Sequence, residues 1–302
     1  MSFAMVLGAG GTTGEAFHRG VVRAMQDLGC DARTADVIVG TSAGSIVAAS
    51  LRHRAVKRDD LQPVSVRRRL PSRSSVLALT RRPRQAMNAL LLAPELFSGR
   101  IDTTFLSEAV GRRHGSQWPD APLWIVAVRR SDGRRVVFGK SGAPPATVAA
   151  AVAASCAIPA YFQAVDIDGA SYVDGGVHSP TNADVLAGYP LDLVIVSSPM
   201  SIAPGLRPAR LDLPLRLLFR RYLHNELWTL SRRGPRVVAI EPDRSVLDAM
   251  GLNMMNGRRL DDVEEAAYAL ARRRLENKQI SLLADGTPRH PGSPDITSTS
   301  SA

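Results

Sequence analysis

The first fifty residues repeat one pattern of apolar and polar positions. Phe3 to Leu7 is an unbroken apolar run that stops at Gly8, and beyond it Phe17, Val21, Val22, Met25 and Leu28 recur at helical spacing from Gly14 onward. The prediction is strand, glycine loop, helix. A second short run, Val37 to Val39 after Asp36, meets Gly40 and passes at once into small and apolar residues from Ala43 to about Leu51. Two strand–turn–helix units in succession predict a parallel sheet with helices on both faces.

From Arg54 to about Gly115 the periodicity weakens, and Pro63, Pro71, Pro83 and Pro94 break it. This stretch reads as an Arg/Pro-rich insertion with one short apolar helix at Gln85–Leu92. Leu123 to Val128 and Arg134 to Phe138 flank the turn Ser131-Asp132-Gly133 as a hairpin-like pair, and Thr147 to Ala154 predicts an alanine-rich helix. Strands follow at Tyr172-Val173, Leu191 to Val196 and Val237 to Ile240. Asp248 through Asn256 reads as an ordered loop, and Leu260 to Leu283 as a long last helix. Ser, Thr, Pro and Gly then dominate, so residues 285–302 are expected to be a disordered tail. With no repeat, residues 1–284 are expected to form a single domain.

Composition narrows this picture. The 302 residues are 45% hydrophobic with a mean hydropathy of -0.04, which suits a globular chain and excludes a collagen-like or wholly disordered one. No apolar run reaches the length of a membrane span, and the N-terminus does not read as a signal peptide, so a cytoplasmic location is expected. Cys30 and Cys156 lack metal-type spacing and are expected to be buried free thiols. The formal charge of +10 is concentrated: residues 51–84 carry eleven basic residues against Asp59 and Asp60, and residues 207–236 carry eight against Asp212 and Glu226. Nucleic acid is disfavoured as a partner, because aromatics for base stacking are only 5% of the chain. The first block, with the apolar residues Ala89–Leu92, Leu96 and Phe97 beside it, suggests peripheral contact of residues 51–97 with an anionic membrane, at its inner face. The second block fits packing on the sheet, on a partner or on lipid equally well.

Three motifs carry candidate chemistry. Gly40-Thr41-Ser42-Ala43-Gly44 fits G-x-S-x-G between a strand and a helix, the setting of a nucleophile elbow that pushes Ser42 out at the strand end. Ser45 is its decoy. Gly8, Gly10, Gly11 and Gly14 form a glycine loop at a helix start, whose amides suit either the pyrophosphate of a dinucleotide or the oxyanion of acyl transfer. Its adjacent glycine pair departs from the dinucleotide spacing. In the third, Asp174 ends a strand and Gly175 and Gly176 follow. Burial would raise this aspartate from its usual value near 3.9 and fit it to accept a proton from a serine. His178 and His224 leave a Ser-His-Asp arrangement open.

Together these motifs resemble the patatin-like phospholipase family, which has a glycine-rich loop, a G-x-S-x-G elbow and a D-G-G or D-G-A turn in this order. Ala154 to Pro159 and Ser179-Pro180-Thr181 are also similar to that family, so the likeness spans about residues 4 to 200. It implies a three-layer α/β/α sandwich with a mostly parallel central sheet. The implied activity is that of a lipid acyl hydrolase: Ser42 as nucleophile, Asp174 as base, the Gly10 and Gly11 amides facing the oxyanion, and neither metal nor cofactor. One departure is Thr13, where the family commonly carries a basic residue. The rival reading is a non-catalytic lipid- or nucleotide-binding protein on the same fold.

Overall fold

Residues 1–53, 101–114, 117–232 and 234–276 are described in a computed structural model. The expected helix at residues 85–92, the apolar patch of residues 89–97 and the tail at 285–302 lie outside them. In chain order the elements are β1 (Phe3–Leu7), α1 (Gly11–Asp27), β2 (Val37–Thr41), α2 (Ala43–Arg52), α3 (Thr104–His114), β3 (Leu123–Arg129), β4 (Arg135–Phe138) and α4 (Val148–Ser155). Then come β5 (Val165–Ile167), β6 (Ala170–Asp174), β7 (Leu193–Ser197), α5 (Leu213–Ser231), β8 (Arg236–Ile240), α6 (Arg244–Met250) and α7 (Leu260–Glu276). Helices α3 and α5 and strand β5 had no counterpart in the hydrophobic pattern. Helix α6 occupies part of what reads as a loop.

Among the described residues, eight strands join one sheet, in the order β5-β6-β3-β2-β1-β7-β8 with β4 also on β3. The pairs β8·β7, β7·β1, β1·β2 and β2·β3 are parallel. The pairs of β3 with β4 and β6, and of β5 with β6, are antiparallel. Strand β6, which carries Asp174, therefore runs against the parallel part of the sheet that its apolar run alone would suggest it joins.

Of the parallel part, β1, β2, β3 and β7 are buried on both faces, as their apolar runs require, whereas the edge strand β8 is only partly covered. Alternate side chains divide between two cores. Met5, Leu7, Ile38 and Ile125 pack with Phe17, Val21 and Met25 of α1, Val47 of α2 and Val263 of α7. Ala4, Val6, Val37, Val39 and Val126 pack on the other face with Leu223 and Leu230 of α5. The three-layer sandwich follows from this alternation. The second basic block thus supplies a helix that covers the sheet. Cys30 and Cys156 are both free and buried. Among the described residues, no helix is long and apolar enough to cross a membrane.

Helices α1 and α7 approach closely at Gly20, where an added Cβ would come within 2.3 Å of the Glu264 carbonyl oxygen. Gly20→Ala is expected to force the helices apart and to lower stability by about 2–3 kcal/mol, read from urea unfolding. An unchanged urea midpoint would contradict this packing.

Candidate active site

Ser42 sits at the tip of the turn from β2 to α2 with φ 53° and ψ -125°, a left-handed backbone that a non-glycine residue adopts only under constraint. The constraint is crowding on both sides. A Cβ on Gly44 would lie 2.0 Å from the Leu7 carbonyl oxygen, and one on Gly40 2.5 Å from the Ser45 Cα. The Ser45 hydroxyl, the decoy, donates to the Ser42 carbonyl at 2.7 Å and is wholly buried. Ser42 begins α2 without using its side chain as a helix cap, so its hydroxyl is left for the cleft that it lines.

Register on β3 explains how Asp174 comes near it. Ile125 and Val126 pair with both β2 and β4, while Ala127 and Val128 pair with both β4 and β6. A strand has two edges, so β4 takes one and β2 and β6 share the other, meeting head to head. Strand β2 ends with Thr41 opposite Val126, and β6 ends with Asp174 opposite Ala127, one position along. At this junction the ladder is bridged by Ser155: its hydroxyl donates to the Val126 carbonyl at 2.6 Å and accepts from the Ser42 amide at 2.9 Å.

Asp174 is buried, and its carboxylate accepts the Gly176 amide at 2.7 Å. Burial pushes the carboxyl up to about 7, against the opposing effects of the Ser42 hydroxyl and the Gly176 amide. Ser42 is thus near enough to favour the charged carboxylate. His178 is exposed at the end of the turn after Asp174, and His224 is exposed on α5 across the sheet. Neither histidine lines the cleft.

The glycine loop leaves β1 between β2 and β7, where the chain order reverses and parallel sheets bind ligands. Among the described residues, the amides of Gly10 and Gly11 make no hydrogen bond, whereas Gly8 and Ala9 donate to the Ser197 and Pro180 carbonyls. Gly11 has φ 58°, and a Cβ there would lie 2.9 Å from the Met254 carbonyl oxygen. Thr13, at the site of the family's basic residue, donates its amide to that same oxygen at 2.9 Å.

Two positioning residues escaped the motif reading. His18, fully buried, bonds the Gly8 carbonyl through Nε2 and the Ser197 hydroxyl through Nδ1, each at 2.7 Å. A carbonyl only accepts, so Nε2 carries the proton and Nδ1 accepts from Ser197. Burial lowers His18 to about 4, which keeps it neutral in this role. Asn182 donates its amide to Thr41 Oγ1 and the Gly175 carbonyl, both at 3.2 Å, and so ties the residue before Ser42 to the one after Asp174. Glu226 of α5 fixes the neighbours of Asn182 by accepting from Thr181 Oγ1 at 2.5 Å and the Ala183 amide at 2.9 Å. Asn182→Leu is expected to lower kcat about a hundredfold while the fold persists, read from ester hydrolysis beside circular dichroism; an unchanged kcat would remove Asn182 from this role.

A cleft partly open to solvent lies over Ser42. Ala43, Ile46, Phe105, Ile158, Phe162 and Met255 make its walls apolar, and Gly11, Thr12, Glu15 and Cys156 complete the lining. Cys156 is held as a thiol by burial. Such a cleft suits a hydrocarbon chain that ends at a polar reacting group.

Residues 5–187 match the family model for patatin-like phospholipase. The chain belongs to the patatin-like phospholipase family. No curated protein matches the sequence. Among solved structures, VipD from Legionella pneumophila is similar over 91% of this chain and 66% of its own, with 11% identity and a TM-score of 0.43. The type III effector protein ExoU is similar over 92% of this chain and 53% of its own, with 15% identity and a TM-score of 0.37. The chain therefore spans less than two thirds of the length of each.

Proposed function

We propose that the protein hydrolyses carboxylic esters of fatty acids in lipids through a Ser42–Asp174 dyad. Ser42 Oγ attacks the ester carbonyl as Asp174 accepts its proton, and the free amides of Gly10 and Gly11 stabilise the oxyanion. Collapse of the tetrahedral intermediate expels the alcohol, which takes the proton from Asp174, and leaves an acyl-enzyme. Asp174 then draws a proton from water, which attacks the acyl carbonyl, and as this second intermediate collapses Asp174 returns the proton to the departing Ser42 Oγ, releasing the fatty acid and restoring both residues. The observation that carries this reading is the head-to-head meeting of β2 and β6 one register step apart on β3. The apolar cleft supports an acyl substrate, and the family supports a lipid one. Peripheral membrane contact through residues 51–97 remains part of the proposal on sequence grounds.

The test is covalent labelling with a fluorophosphonate probe. Wild-type chain is expected to be labelled at Ser42, and Ser42→Ala to remain unlabelled. Failure of the folded wild-type chain to react would favour the non-catalytic binding protein. Loss of labelling in His178→Ala or His224→Ala, with retention in Asp174→Asn, would favour a triad.

A further inference from the structure

Helix α5 divides its residues sharply between two faces. Leu223, Glu226 and Leu230 turn inward and are buried. Pro214, Leu217, Arg221, His224, Trp228 and Arg232 recur at three- and four-residue spacing and are all exposed, so they form one outward stripe. Within it Trp228 is 62% exposed, an unusual position for so large an apolar side chain, and the Arg232 guanidinium lies 4.7 Å from its ring centre. Leu211, just before the helix, is 75% exposed.

Charge on this face has one sign. Glu226 is the only acid between residues 213 and 231, and it is buried. Asp212, before the helix, is held by Arg210 and Arg216. Arg221 and Arg232 are left facing solvent beside Leu217 and Trp228. The segment before the helix also reaches a loop that leads to the cleft. Arg210 donates to the Leu247 and Gly251 carbonyls at 2.7 and 2.6 Å, so it clasps the loop that carries exposed Leu252 and the cleft-lining Met255.

We infer that the outer face of α5, from Leu211 to Arg232, is a docking surface for an anionic lipid bilayer. Leu211, Leu217 and Trp228 enter the interface while Arg221 and Arg232 meet lipid phosphates, and the Leu252–Met255 loop brings the cleft mouth to the membrane. The inference rests on the lipid acyl hydrolase reading for its purpose but not for its test. Trp118 and Trp124 are less exposed than Trp228, which gives docking an optical signal of its own.

The experiment measures flotation of the full chain carrying Ser42→Ala with phosphatidylcholine vesicles, with and without phosphatidylglycerol, so binding is separated from turnover. Recovery with anionic vesicles is expected, falling with added salt, together with a blue shift of tryptophan emission. Arg221→Ser with Arg232→Ser should weaken this binding about thirtyfold, and Leu217→Ser with Trp228→Ser by about tenfold or more. Trp228→Phe should float but lose the blue shift. Made in the wild-type background, these variants should hydrolyse a soluble p-nitrophenyl ester normally.

Several results would overturn the docking surface. One is equal recovery from neutral and anionic vesicles. Another is undiminished flotation of both double variants, with loss only on deleting residues 85–97. A dimer by light scattering that Trp228→Ser dissolves, with flotation unchanged, would assign the face to a second copy of the chain. Failure of fluorophosphonate labelling with vesicle binding intact would remove the hydrolase reading and leave docking standing.

Discussion

Ser42→Ala and Asp174→Asn are each expected to reduce kcat on a soluble p-nitrophenyl ester by on the order of 10⁴-fold or more, because a nucleophile and its base act as one unit. The double variant should then be little worse than either single one. Both substitutions keep the local packing: alanine inherits the Ser42 backbone, and asparagine can still accept the Gly176 amide that Asp174 binds at 2.7 Å. Circular dichroism should therefore be unchanged, which separates chemistry from folding. Losses that multiply in the double variant would mean that the two residues act independently and would break the dyad.

The second large effect concerns pH, and its sign differs for activity and stability. Asp174 must be charged to accept a proton, and burial pushes it up to about 7, so kcat/KM should rise with pH and level off above about 7. Stability moves the other way. In the unfolded chain the carboxyl loses its proton near 3.8, whereas in the folded chain it keeps it to about 7. The folded state thus binds more protons between these values, and the group's contribution is fully present below about pH 4 and lost as pH rises through 7.

At about 1.4 kcal/mol for each tenfold ratio, this amounts to roughly 4 kcal/mol. Asparagine carries no such burden. Asp174→Asn should therefore exceed wild type in urea-measured stability by up to ~4 kcal/mol at pH 8, with the gap closing toward pH 4. A gap independent of pH would mean that the carboxyl titrates normally. A base tuned to neutral pH, the role proposed for Asp174, is expected to destabilise its own fold in this way.

Much of this molecule is legible from residue pattern alone, for identifiable reasons. Phe3–Leu7 and Val37–Val39 are read as strands because burial on both faces makes them continuously apolar and glycines follow them, although β2 runs on through Gly40 to Thr41. The elbow at Ser42 is legible because its crowding admits only glycine at positions 40 and 44. The direction of β6 is not, since a strand's side chains look the same whichever way it runs against its neighbour. His18 and Asn182 are single polar residues with partners up to 179 and 141 positions away, and no local spacing announces such contacts. Helix α3 falls where proline breakers precede it and its own apolar stripe is weak, while β5 has only three residues. Met255 reaches the cleft from a stretch with no motif.

The ties on the glycine loop also reach far beyond the matched segment. The family match ends at residue 187, yet β1 pairs with β7, His18 leans on Ser197, and Thr13 is fastened to Met254. Cut at the boundary of the match, the first strand would become a bare sheet edge and the amides beside Gly11 would lose their outer brace. The proposed site therefore leans on chain well past residue 187, and sequence similarity marks one part of its support rather than its limits.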